Sequence, residues 1–181
     1  MLSEEWRKFK GWKILEYFLN HSGEIHVKKL ARILKISPYT ASYYLKLYQK
    51  MGIFKKRKKG NLILYSLADN CVTRHLKIFY ILDIIYPFIK KFSAKNNVIS
   101  VILYGSHASG TYDAKSDIDL IIISQRKDLD LSEIKKIERK TGKEVKIHVF
   151  TLGEWRRLKR KNDEFVKSVI FNHILVHGAE V

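Results

Sequence analysis

Leu103-Tyr104-Gly105-Ser106-His107-Ala108-Ser109-Gly110-Thr111-Tyr112-Asp113-Ala114-Lys115-Ser116-Asp117-Ile118-Asp119-Leu120 sets two kinds of chemistry on two strands. The apolar run 98–104 reads as a strand ending at Tyr104. Gly105 then lets the backbone turn tightly and approach a ligand closely. Ser106 follows where a short helix begins, and free N–H groups and a hydroxyl there make a phosphate cradle. A second apolar run, 118–123, is interrupted by Asp119. At a period of two, Asp117 and Asp119 share one face while Ile118 and Leu120 turn to the core. Gly-Ser alone and Asp-x-Asp alone are common surface pairs. An aspartate pair in an Ile-rich strand is harder to place, because charge there costs free energy unless it is paired or metal-bound. Two carboxylates beside a phosphate cradle suit Mg²⁺, which takes one or two carboxylates plus substrate phosphates. Two such ions can clamp the attacking and leaving oxygens of phosphoryl transfer.

Outward from this stretch, strands alternate with helices. The pattern predicts a helix over 131–140 capped by Ser132 or Asp130, a strand over 145–150, helices over 154–161 and 164–172, and a last strand at 174–176. Few strands interleaved with helices make a small α/β or α+β domain.

Gly105-Ser106, ten intervening residues and then Asp117-x-Asp119 resemble the signature of minimal nucleotidyltransferases of the polymerase-beta superfamily. The likeness covers residues 97–181, with the Phe165-Val166-Lys167-Ser168-Val169-Ile170 helix and the Ile174-Leu175-Val176 strand closing it. It implies a small mixed sheet flanked by helices. It also implies that Gly105 and Ser106 contact a nucleoside triphosphate (ATP or another NTP), and that Asp117 and Asp119 are the catalytic, metal-holding carboxylates for Mg²⁺. The reaction it implies is transfer of a nucleoside monophosphate to a hydroxyl with release of pyrophosphate. Some relatives are antitoxins that place AMP on a tyrosine of a HEPN-type toxin. A third carboxylate, expected on the next strand, falls near Lys146, which is a cation. Glu144 and His148 share that face and are the candidates for a third acid or base; histidine titrates near neutrality. Alternatively, Lys146 marks a domain that binds nucleotide without turning it over, offsetting Asp117 and Asp119 without a metal. His107, beside the cradle, faces either the phosphates or solvent.

The formal net charge is +17, and it is unevenly spread. Residues 1–95 hold 20 Lys/Arg against 6 Asp/Glu, net +14, and residues 96–181 hold 15 against 12, net +3. A Lys-rich solvated surface predicts no such asymmetry, whereas a polyanion partner for the first half does, nucleic acid ahead of a membrane surface. That half reads as helices and a hairpin. Ile14, Leu15, Phe18 and Leu19 repeat at helical spacing, and a second helix fits 27–34. Ser37-Pro38 caps and opens a third helix that stops at Gly52. Ile53-Phe54 then begins an extended segment, Lys55, Lys56, Arg57, Lys58 and Lys59 with Gly60-Asn61 make a basic turn, and residues 62–67 return as a strand. A long helix over 70–92 follows, with an apolar stripe of Leu76, Phe79, Leu82 and Tyr86 and a kink or break near Tyr86 caused by Pro87.

Leu30-Ala31-Arg32-Ile33-Leu34, Ser37-Pro38-Tyr39-Thr40-Ala41-Ser42-Tyr43-Tyr44-Leu45, Gly52-Ile53-Phe54, Gly60 and Tyr65-Ser66-Leu67 together resemble winged helix-turn-helix transcription regulators of archaea and bacteria. The resemblance spans residues 10–70 and implies a third helix in the DNA major groove. Tyr39, Thr40, Ser42, Tyr43 and Lys46 would then meet bases and phosphates. The five cations of the wing, Lys55 to Lys59, would meet backbone phosphates, which gives affinity and salt dependence rather than sequence choice.

The expectation is a two-domain α/β (α+β) chain: a winged helix-turn-helix over 1–69, a connecting helix over 70–95 and a nucleotidyltransferase domain over 96–181. Its expected work is transcription regulation with nucleotide sensing on double-stranded DNA, or else active nucleotidyl transfer to a protein or small-molecule hydroxyl, antitoxin-like. No run of 18 or more apolar residues predicts a membrane span, and the N-terminal residues lack a signal-peptide apolar core. Cys71 is the only cysteine, so intrachain disulfides and multi-cysteine zinc sites are excluded and a reducing cytoplasm is the expected compartment. A homodimer stays open.

Overall fold

The computed structural model describes residues 5, 6 and 8–180. The chain forms two compact units, Met1–Lys77 and Ile78–Val181. Each builds its own sheet.

In the first unit, helix α1 (Lys10–Asn20) buries Trp12, Ile14, Leu15, Phe18 and Leu19 on one side. A two-residue strand β1 (Ile25–His26), not foreseen, leads into α2 (Val27–Leu34), whose first turn is capped by the His26 ring accepting from the Lys29 N–H. Helix α3 (Pro38–Lys50) starts where Ser37 Oγ accepts from the Thr40 N–H at 3.0 Å, with Pro38 in the first turn, where it loses no helical hydrogen bond. Ala41 and Leu45 are its fully buried residues. Strands β2 (Phe54–Lys59) and β3 (Leu62–Leu67) then pair antiparallel, and β1 joins the other side of β3.

The expectations of a basic turn, of a break near Tyr86 and of the apolar stripe fail here. Lys55 to Lys59 are not a turn: they form the body of β2, each paired across β3, and the turn is Gly60-Asn61 alone, with Gly60 at φ 57°. Lysines on a solvated edge strand keep their charge in water while the backbone pairs, and such charges also discourage edge-to-edge association. The long helix α4 (Cys71–Asn96) is not broken near Tyr86; Pro87 sits inside it. It opens with a reciprocal pair in which Asn70 Oδ1 accepts from the Thr73 N–H and Thr73 Oγ1 from the Asn70 N–H. Its buried stripe is Tyr80, Ile81, Ile84, Ile85, Ile89 and Phe92, while Tyr86 is 52% exposed. The helix is apolar on more than one side, so spacing alone selected the wrong stripe.

The elements of the second unit after α4 are β4 (Ser100–Tyr104), α5 (Gly105–Ser109), β5 (Ile118–Ser124), α6 (Ser132–Thr141), β6 (Val145–Thr151), α7 (Leu152–Arg160), α8 (Glu164–Phe171) and β7 (His173–Gly178). The strands form a four-stranded sheet in the order β6-β5-β4-β7. Strands β5 and β6 run parallel, connected through α6, and the other two pairings are antiparallel. Leu131, without a side-chain cap, takes the N-cap position of α6; Asp130 Oδ1 instead accepts from the Ser132 N–H. One face of the sheet packs Ile102, Ile121 and Ile123 against Trp155 of α7 and Val166 and Val169 of α8. No described helix is long and apolar enough to cross a membrane.

Candidate functional site

The pairing of three strands assembles the site. Tyr104, the last residue of β4, lies opposite Asp119 of β5, and Asp119 lies opposite Lys146 of β6. Directly paired residues project to the same face, so an aromatic ring, a carboxylate and an ammonium stand in one row. Ile118 and Leu120, on the alternate face, are fully buried.

Gly105 follows Tyr104 at φ 70°, a region that a residue with a Cβ enters only with strain. Space requires glycine as well: a Cβ there would lie 2.8 Å from Asp119 Oδ2. The Asp119 carboxylate thus rests against the backbone of the β4–α5 turn. Ser106 is half-buried, and its carbonyl anchors the next loop by accepting from the N–H groups of Thr111 at 3.0 Å and Tyr112 at 3.2 Å.

Asp117 precedes β5, and its Oδ2 lies 2.7 Å from Lys146 Nζ. That contact holds the Lys146 ammonium above the usual lysine range. Burial pushes the Asp119 carboxyl above its ordinary range; Lys146 works against that rise and Asp117 adds to it. Burial likewise raises the Tyr104 phenol, with Asp119 contributing.

Lys143 went unnoticed in the sequence. Its Nζ donates to the carbonyls of Asp113 at 2.8 Å and of Ala114 and Ser116 at 3.1 Å each. Asp113 closes the same loop by accepting from the Lys115 N–H and the Ser116 hydroxyl. One half-buried lysine therefore fixes the loop that delivers Asp117. No local pattern announces it, because the partners lie 27–30 residues upstream.

His107 faces neither phosphates nor solvent. It is fully buried, stacked on Tyr112 with ring centroids 4.2 Å apart. Glu144, just before β6, and His148, within it, are both exposed and lie two residues to either side of Lys146. His148 leans into an aromatic cluster, 5.4 Å from Phe165 and 6.3 Å from Tyr104 between centroids. Phe165, read in the sequence only as part of the closing helix, joins this cluster; its ring and that of Tyr104 are perpendicular with centroids 5.7 Å apart.

A divalent cation fits this donor set only in part. Among the described residues no three carboxylate, histidine or cysteine side chains converge as a metal site. Two carboxylates suffice for one Mg²⁺ when substrate phosphates complete its shell, but one of these two already holds an ammonium. The residues do not fit a pair of metal ions.

In the first unit Tyr39 is 81% and Tyr43 54% exposed at the start of α3, and Lys46 is exposed a turn later. Thr40 and Ser42 are half-buried, and the Thr40 hydroxyl lies 2.8 Å from Ser37 Oγ. On β2 all five basic residues are exposed. Arg57 is engaged: its Nε donates to Glu24 Oε1 at 2.8 Å and its Nη2 to Glu24 Oε2.

The family model for the nucleotidyltransferase domain matches residues 85–176, half of the chain. The chain belongs to the nucleotidyltransferase domain family. Over 58 residues it is also 43% identical to a cadmium resistance transcriptional regulatory protein CadC homolog of Staphylococcus aureus. That match covers 32% of this chain, and the chain spans about half (48%) of the length of that relative. A solved structure described as a candidate nucleotidyltransferase of Sulfolobus solfataricus overlaps 59% of this chain and 88% of its own, at 17% identity and a TM-score of 0.36.

Proposed function

We propose that the chain is a DNA-binding transcription regulator of the winged-helix type whose second unit binds a nucleoside triphosphate at Gly105, Ser106, Asp117 and Asp119. The observation that carries the DNA half is a helix start with Tyr39, Tyr43 and Lys46 exposed, followed by a hairpin strand with Lys55, Lys56, Arg57, Lys58 and Lys59 all in solvent. Cations on such a strand attract phosphates without sequence choice, while exposed groups at the start of a helix are the ones able to reach base edges. A relative described as a transcriptional regulatory protein supports the reading. On the second unit, the membership in the nucleotidyltransferase family supports a nucleotide ligand, with Tyr104, His148 and Phe165 offering aromatic surface beside the carboxylates.

Fluorescence anisotropy with a labelled duplex, titrated across salt concentrations, tests this. The reading expects affinity that falls steeply and log-linearly with salt, and that drops further when Tyr39 and Tyr43 become Ala. Weak binding with little salt dependence overturns it.

The close seating of Asp119 on Gly105 favours a second reading, active nucleotidyl transfer with Mg²⁺ to a hydroxyl of a small molecule or of a protein such as a HEPN-type toxin. Labelled NTP, Mg²⁺ and candidate acceptors test it against Asp117→Ala/Asp119→Ala. Transfer by the native chain alone supports it, and equal signals from both chains sink it.

A further inference from the structure

We propose that Lys146 takes the place of one metal ion together with the carboxylate that would hold it, so that the site binds a nucleoside triphosphate with a single divalent cation. This rests on the reading that the second unit binds nucleotide.

Lys146 is paired with Asp119 in the β5–β6 register, so its stem is fixed beside the carboxylates by the sheet itself. Its Nζ reaches Asp117 Oδ2 at 2.7 Å, a charge-assisted contact. Asp119 is bounded on one side by Gly105, just past the end of β4, and on the other by Lys146 of β6. A second divalent ion shared between Asp117 and Asp119 would therefore meet an ammonium already in its place. Like charges at that separation repel, and no third acid converges among the described residues to offset the repulsion.

Charge balance then explains how the site can still take a triphosphate. Three carboxylates with two divalent ions leave one net positive charge. Two carboxylates, one ammonium and one divalent ion leave the same. Lysine exchanges a carboxylate and a metal for a single group without changing the charge offered to the phosphates. What changes is the reactivity: a lysine is a point charge with three donors and no acceptor, so it can hold a phosphate oxygen but cannot hold a metal that would activate a hydroxyl. Lys146 is about half exposed, so its flexible end can swing from Asp117 to a phosphate without disturbing the core.

The test counts metal ions. The α,β-methylene analogues of ATP, GTP, CTP and UTP are each screened by thermal shift on the full chain. Bound Mn²⁺ per protein–nucleotide complex is then measured by electron paramagnetic resonance for the native chain, Lys146→Asp and Lys146→Met. One Mn²⁺ in the native complex and two in Lys146→Asp are expected. Lys146→Met should also lose about tenfold to a hundredfold in nucleotide affinity, the size expected for one charge-assisted contact. Two Mn²⁺ in the native complex, or one in both native and Lys146→Asp, overturns the exchange while leaving nucleotide binding intact. If none of the four analogues binds either the native chain or Lys146→Asp, the nucleotide reading falls and this proposal falls with it.

Discussion

Lys146 Nζ and Asp117 Oδ2 are 2.7 Å apart, joining the strand that follows the crossover helix to the loop that precedes β5. Both side chains are in partial contact with water, 53% and 32% exposed. Exposed pairs add little to stability, because water screens them and two side chains must be ordered. Lys146→Met is therefore expected to leave the thermal midpoint nearly unchanged while altering ligand binding. A large fall in Tm would show that the pair holds the fold rather than tuning the site.

Asp119 offers the opposite balance. Burial raises its carboxyl in the folded chain, so the unfolded chain ionises first as pH rises. A raised acid gives full stability below its ordinary value of 3.8, and that contribution is lost as pH climbs through the folded value. Asp119→Asn should therefore raise Tm at neutral pH, with the gain vanishing as pH falls below 3.8, while nucleotide binding is lost. Thermal melts of both chains across acid pH check this; a gain that persists at low pH would point to a cause other than ionisation.

Gly105→Ala addresses the same carboxylate from the other side. The new methyl would sit 2.8 Å from Asp119 Oδ2 and hold a residue at φ 70°. The left-handed backbone alone costs about 1–2 kcal/mol, and the carboxylate must move as well. Chemical denaturation should show at least that loss, with nucleotide affinity falling alongside. Unchanged stability would mean that the turn relaxes to another conformation.

These residues also show what a sequence discloses. Gly105, Asp119 and the strand pair around them follow local rules, glycine at a turn and alternation along a strand, so their placement could be read from spacing. Ser37-Pro38 marks a helix start in the same local way. The features that escaped depend on distant partners. Lys143 reaches back to three carbonyls, Arg57 meets Glu24 across 33 residues, and His107 turns inward to stack on Tyr112. Residues 55–59 looked like a turn because composition outweighed pairing, yet β3 opposite supplies the ladder that makes them a strand. The buried stripe of α4 was missed for a different reason, since a helix apolar on several sides carries no unique periodic signal.

Thr151 and Glu154 fix α7, the helix that brings Trp155 to the sheet. They form a capping box, and Lys127 adds a 2.7 Å contact to Glu154. Lys127 and the Thr151 N–H hold the Glu154 carboxyl down at about 2. A depressed acid gives stability above its ordinary value of 4.5 and loses it as pH falls through about 2. Glu154→Gln should melt lower than the native chain at neutral pH, and the two curves should converge as pH falls from 4.5 toward 2. Thr151→Ala should lose about 1 kcal/mol for the missing cap. Parallel melting curves with no convergence in acid would contradict the assignment.

Glu24 restrains one of the five cations of β2. Its carboxylate accepts from the Arg57 guanidinium, and the Lys55 and Lys59 charges also lower its titration. An arginine held by a carboxylate must release it before meeting a phosphate, whereas Lys56 and Lys58 have no such partner among the described residues. If β2 contacts DNA, neutralising Lys56 and Lys58 removes two phosphate contacts, and the log–log salt slope should fall by about 2. Glu24→Gln should do the reverse, releasing Arg57 and tightening binding at low salt with a steeper slope. Arg57→Gln in the native background should weaken binding less than Lys56→Gln does, because the native arginine is already partly neutralised. Equal losses from Arg57→Gln and Lys56→Gln, with no gain from Glu24→Gln, would show that the Glu24 pair opens freely and does not limit the contact.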